Sequence, residues 1–66
     1  MAILKVIEVM ANSDKSWEEA TRKAVKHAAT SVNFLKSAFV QSQSVVINDD
    51  EVTEFRVNLK ITFEVK

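Results

Sequence analysis

The stretch Glu54–Lys66 constrains this chain more than any other. It reads E-F-R-V-N-L-K-I-T-F-E-V-K, with Phe55, Val57, Leu59, Ile61, Phe63 and Val65 at every second position. Glu54, Arg56, Asn58, Lys60, Thr62, Glu64 and Lys66 lie between them. Side chains on a strand alternate between its two faces. The stretch is therefore a strand with one apolar and one hydrophilic face. It is also about twice the usual strand length of roughly five to six residues. A ribbon this long with one apolar face needs a long cover.

The chain offers one helix for that purpose. Ser16 opens it, and Ser16 to Glu19 has the spacing of a capping box. Glu18 and Glu19 suit the positive helix N-terminus. Trp17, Ala20, Ala24, Val25, Ala28, Val32 and Leu35 recur at three- and four-residue intervals on one face. The periodicity predicts a helix ending near Asn33–Lys36, about 20 residues and roughly 30 Å long. Before it, Ala2–Met10 is apolar on both faces. Ile3, Ile7 and Val9 lie on one and Leu4, Val6 and Met10 on the other, so the strand is expected to be covered on both sides. The helix would cover one side and a neighbouring subunit the other. Ala11–Lys15 reads as a polar connection.

Ser37–Ile47 reads as a second strand, with Phe39, Gln41, Gln43, Val45 and Ile47 on the face of Ser37. Val40, Ser42, Ser44 and Val46 fall on the other face. Asn48-Asp49-Asp50 is a turn, because Asn and Asp tolerate left-handed backbone. The last strand then starts near Glu51, with a bulge or face switch near Thr53 because Val52 is out of parity with Phe55–Val65. The order is β-α-β-β, an α+β fold. A three-stranded antiparallel sheet wraps around one helix, and residues 1–66 form a single domain.

Composition narrows the function. Nine basic and nine acidic residues cancel, which argues against the basic surface that nucleic-acid binding needs. No apolar run reaches the roughly 20 residues of a membrane span, and no signal-peptide pattern is present. A soluble cytoplasmic protein is expected. There is no cysteine and one histidine, so disulfides and Cys/His zinc sites are excluded. Chains this small usually need such staples or oligomerisation, and oligomerisation is what remains. Without glycine there is no phosphate-binding Gly-rich loop, and no Ser-His-Asp set or paired-acid motif appears. The chain does not read as an enzyme.

Individual residues mostly have a plain reading. Trp17 in the first helical turn reads as packing rather than stacking on a ligand. His27 has no carboxylate or second ligand at useful spacing and reads as a surface or interface residue. Asp49-Asp50-Glu51 lacks the full spacing of a calcium loop and reads as a solvated turn. Glu54, Arg56, Lys60 and Glu64 form either a solvated ladder or the polar lining of an enclosed space.

Three segments in order, K-V-I-E-V at Lys5–Val9, D-K-S-W-E-E-A at Asp14–Ala20 and E-F-R-V-N-L-K-I-T-F-E-V at Glu54–Val65, resemble the dodecin family. The resemblance covers essentially the whole chain. It implies a β-α-β-β protomer, twelve copies of which form a hollow shell. It also implies storage of a flavin, riboflavin or FMN, without catalysis. In flavin-binding members a Trp opening the second strand stacks on the isoalloxazine, and a Gln on the third strand bonds the ring edge. Counted without gaps from Phe55, these positions fall on Ser37 and Arg56. Phe39, two residues from Ser37, is the available aromatic substitute. The cofactor-binding set implied here is thus Ser37, Phe39 and Arg56. Losing a stacking aromatic costs about 1–3 kcal/mol, roughly tenfold to a hundredfold in flavin affinity. A flavin-free structural or cation-binding dodecamer is the alternative.

Overall fold

The computed structural model describes residues 2–66. Its elements are β1 (Ile3–Ser13), α1 (Trp17–Ala28), β2 (Leu35–Asn48) and β3 (Glu51–Val65). The sheet order is β1-β3-β2, and both pairings are antiparallel. The strand of strict alternation lies at the centre. Val57, Leu59 and Ile61 on its apolar face are buried against Ala20, Ala24 and Ala28 of α1. Those alanines recur every fourth residue and share one helical face. Their small side chains let the helix lie close to the sheet. Ile7, Val9, Ala11, Trp17, Val25 and Leu35 pack around this core.

Both ends of α1 are specified locally. Ser16 is extended, and its hydroxyl accepts from the Glu19 amide at 3.0 Å. Glu19 does not close the expected capping box. Its carboxylate instead accepts from the buried Ser13 hydroxyl at 2.7 Å. Ser13 Oγ in turn accepts from the amides of Lys15 and Ser16. The helix ends at Ala28, earlier than its periodicity predicts. Thr30 Oγ1 donates to the His27 carbonyl at 2.6 Å, a local bond that competes with helical continuation. The Val32 amide returns to the Ala28 carbonyl. Phe34, with φ of 63°, redirects the chain into β2, so Leu35 packs on the core from a strand and not from the helix.

Twelve helical residues span about 18 Å. The fifteen of β3 span about 50 Å, the long dimension of the molecule at 50 Å. The helix therefore covers only the middle of the sheet, lying over β1 and β3. β1 runs three residues past Met10, and its pairing with β3 ends at Ser13 opposite Phe55. Beyond that point β2 and β3 continue alone to a turn in which Asp49 and Asp50 have φ of 53° and 64°. Two central residues with positive φ match the twist of a tight hairpin.

Three irregularities interrupt the β2–β3 register. One leaves Thr53 unpaired between the Val46–Glu54 and Ile47–Val52 pairs, where the sequence places it. Its hydroxyl donates to the Val46 carbonyl at 3.2 Å. The others skip Lys36 and Gln41 of β2. The Gln41 bulge corrects the expected faces of β2. Ser37, Phe39, Ser42 and Ser44 pair with Thr62, Lys60, Asn58 and Arg56 on the hydrophilic face. Ala38, Val40, Gln43 and Val45 pair with Ile61, Leu59, Val57 and Phe55 on the face that carries α1.

Candidate functional site

The hydrophilic face of the sheet, away from α1, holds all three residues implied by sequence. Paired residues in an antiparallel sheet share a face, so Ser37, Phe39 and Arg56 point the same way. The sheet does not bring them together within one protomer. Ser37 lies opposite Thr62 and Phe39 opposite Lys60, whereas Arg56 lies opposite Ser44. Six β3 positions separate Thr62 from Arg56, roughly 20 Å at about 3.3 Å per residue. Lys60 is the cation in register with Phe39.

Phe39 is 66% exposed, large for an aromatic ring on a sheet face. Lys60 beside it approaches Glu8 of β1 at 4.0 Å. Arg56 is partly buried, and its Nε donates to Asn12 Oδ1 at 3.1 Å across the β1–β3 pair. That bond fixes the guanidinium plane and leaves its terminal nitrogens for another acceptor. Asn58, between Arg56 and Lys60, donates to Ser42 Oγ at 3.1 Å, while its own Oδ1 is buried without a partner. At the far end Glu64 meets Lys66 at 3.0 Å and Lys36 at 3.5 Å. The hydrogen bond from Lys66, with the charge of Lys36, holds the Glu64 carboxyl below the usual range. Lys60 and Glu64 thus pair across strands or locally, whereas Arg56 is bonded to the neutral Asn12.

The other residues singled out by sequence sit apart from this face. Trp17 packs its ring edge-on against Phe55, with centroids 5.1 Å apart, and its indole N–H donates to the Ser44 carbonyl at 3.0 Å. His27 is exposed at the end of α1. Asp49, Asp50 and Glu51 are exposed at the hairpin tip, and the described residues contain no cluster of three or more acidic, His or Cys groups able to hold a metal. No helix among them is long and apolar enough to cross a membrane.

The dodecin family model matches residues 3–66. The chain belongs to the dodecin family. It is 30% identical to the calcium dodecin of Mycobacterium tuberculosis over 66 residues, covering 100% of this chain and 93% of that one. The crystal structure of that calcium-chelating protein, described with a novel calcium-binding site, superposes with a TM-score of 0.86 at 30% identity, covering 97% of this chain and 91% of that one. The dodecin of Streptomyces coelicolor superposes with a TM-score of 0.94 at 28% identity, covering 98% and 93%. The β1-α1-β2-β3 order with its central β3 is thus the dodecin fold. Counting back from the Asn48–Glu51 pair at the turn already places Ser37 opposite Thr62, so the hairpin register itself separates Ser37 from Arg56.

Proposed function

We propose that this dodecin assembles into a homo-oligomeric shell of twelve copies, cytoplasmic and non-catalytic, that sequesters a flavin. The observation that carries the reading is the amount of structure one protomer leaves unsupported. Beyond the Ser13–Phe55 pair the β2–β3 hairpin is a two-stranded arm, marginal in water on its own. It exposes Ile47 and Val52. On β1, Leu4, Val6 and Met10 are exposed on the face away from α1. Apolar surface distributed over an arm and a strand suits burial against further copies.

The ligand reading rests on Phe39 as a stacking platform beside Ser37, with Lys60 and Arg56 as donors along the same face. Neither cation accepts a hydrogen bond, so neither matches a ring edge that presents carbonyl and N–H together. Both suit a phosphate. FMN should therefore bind more tightly than neutral riboflavin. Arg56 lies too far along β3 for the ring edge held by Phe39 of its own protomer. It would meet the phosphate tail or a ring held by a neighbouring copy.

Fluorescence titrations of FMN and riboflavin into the wild type and Phe39→Ala test this. Tighter FMN binding that is lost in the variant supports it; equal affinities unaffected by the substitution overturn it. The second reading, a cation-binding shell, is favoured by the likeness to calcium dodecin. The described residues of one protomer contain no cluster of three or more acidic, His or Cys groups, so a cation site would combine carboxylates of several copies. Calcium titration calorimetry showing stoichiometric heat without any flavin binding would favour it.

A further inference from the structure

The chain has no cysteine and two methionines, and Met10 is the only sulfur among the described residues. It is 62% exposed on β1, on the face away from α1 that Leu4 and Val6 share. A thioether is soft and apolar and suits burial at a contact between copies. Its surroundings are polar in one sense only. The register partner Asn58 donates its amide to Ser42 Oγ at 3.1 Å and keeps Oδ1 buried without a partner. Glu8, two residues along the same face, adds a carboxylate. Glu8, Met10, Asn58 and the bulged Gln41 line one cleft of about 310 Å³.

Met10 thus sits beside two acceptors. As a thioether it asks nothing of them. As a sulfoxide it carries a polar S=O acceptor of its own. In the free chain that oxygen is hydrated. Pressed against a second copy it loses its water while facing Asn58 Oδ1 and Glu8, which cannot donate to it. A buried acceptor left unpaired opposes association. The core of the protomer lies on the other face, beneath α1, and is untouched by the change.

We propose that Met10 is an oxidation-sensitive latch on assembly: a peroxide converts it to the sulfoxide in the unassembled chain, and the oxidised chain is excluded from the shell. The sulfur attacks one peroxide oxygen, the O–O bond breaks, the S=O bond forms and water leaves. The sulfur is oxidised by two electrons and the peroxide reduced by two. Burial in the shell shields Met10 from the same reagent, so oxidation discriminates between assembled and unassembled copies. A methionine sulfoxide reductase reverses the step. The proposal rests on the oligomeric reading above and on no ligand.

The test treats the assembled protein, and separately the chain unfolded in urea, with hydrogen peroxide. Peptide masses locate the oxidised residues, and light scattering measures reassembly after urea and peroxide are removed. Met10 should be oxidised in the unfolded chain and protected in the assembled protein. For treated wild type the protomer concentration needed for assembly should rise about tenfold. Met10→Leu, treated in the same way, should reassemble as untreated protein does, which excludes Met1 and Trp17 as the cause. Methionine sulfoxide reductase should restore treated wild type, a readout that needs no variant. Full reassembly of treated wild type, a loss that the reductase does not reverse, equal loss in treated Met10→Leu, or equal oxidation of Met10 in both states would each overturn the proposal. Untreated wild type that never assembles would overturn the oligomeric reading as well; assembly indifferent to peroxide overturns this proposal alone.

Discussion

Replacing Leu59 by alanine should remove a large share of the stability of the protomer. Leu59 is 1% exposed, at the centre of β3 beneath α1. The substitution removes three carbons, roughly 2.4 kcal/mol at about 0.8 kcal/mol per buried methylene. The cavity adds to that loss. Ala20 and Ala24 across the interface carry only methyl groups and cannot swing in to refill the space, so the upper part of the range for such truncations applies, about 3–5 kcal/mol. At about 0.05–0.15 kcal/mol per residue, a chain of 66 residues has roughly 3–10 kcal/mol in all. Urea titrations at fixed protein concentration, followed by far-ultraviolet circular dichroism and Trp17 emission, measure the loss. Val6→Ala is the control: Val6 is 57% exposed on the opposite face, so it should perturb association rather than the protomer core. A Leu59→Ala loss below about 1 kcal/mol would refute the burial of β3 beneath the helix.

Three further outcomes are expected. Ser16→Ala removes the acceptor of the Glu19 amide and should cost about 1 kcal/mol, seen as a lower melting midpoint with the native circular dichroism retained. Glu64, held below the ordinary carboxyl range by Lys66 and Lys36, stabilises the fold fully above that ordinary value, and the contribution fades as pH falls through the lower folded pKa; Glu64→Gln should flatten the fall in melting midpoint between about pH 5 and pH 3. Phe34 holds a left-handed backbone unfavourable for a bulky residue. Phe34→Asn should raise the melting midpoint by up to about 1 kcal/mol in stability, since the loss of the Lys66 contact with the ring at 5.2 Å offsets only part of the relief; a marked destabilisation would show that the ring matters more than the strain.

Where one residue type decides one local geometry, the sequence was a good guide. The alternation from Phe55 to Val65 gave β3 and its buried face. Val52, out of parity, marked the bulge that leaves Thr53 unpaired. The two aspartates marked the turn. The readings failed where geometry depends on partners. Val32 and Leu35 continue the helical spacing of Trp17–Ala28, yet Leu35 reaches the core from β2, because a helix and a strand can bury the same apolar residue. Asn12 and Ser13 read as connection but pair with Arg56 and Phe55, since an edge strand needs no apolar alternation to extend along a neighbour. The Gln41 bulge has no glycine or parity break to announce it within a stretch polar on both faces. It puts Gln43 and Phe39 on opposite faces, while Ser37 and Phe39 stay on the face of Arg56 at the distance that counting back from the Asn48–Glu51 pair gives. The dodecin resemblance carried fold and family, and left the ligand to be argued from these placements.

Assembly is the claim on which the rest depends, and light scattering coupled to size exclusion measures it directly. Twelve copies of a 7.4 kDa chain give a particle of about 89 kDa, and that mass should persist on dilution to micromolar protomer. A folded, monodisperse species of 7.4 kDa would contradict the account, because it would mean that the two-stranded arm and the uncovered face of β1 stand in water without a partner.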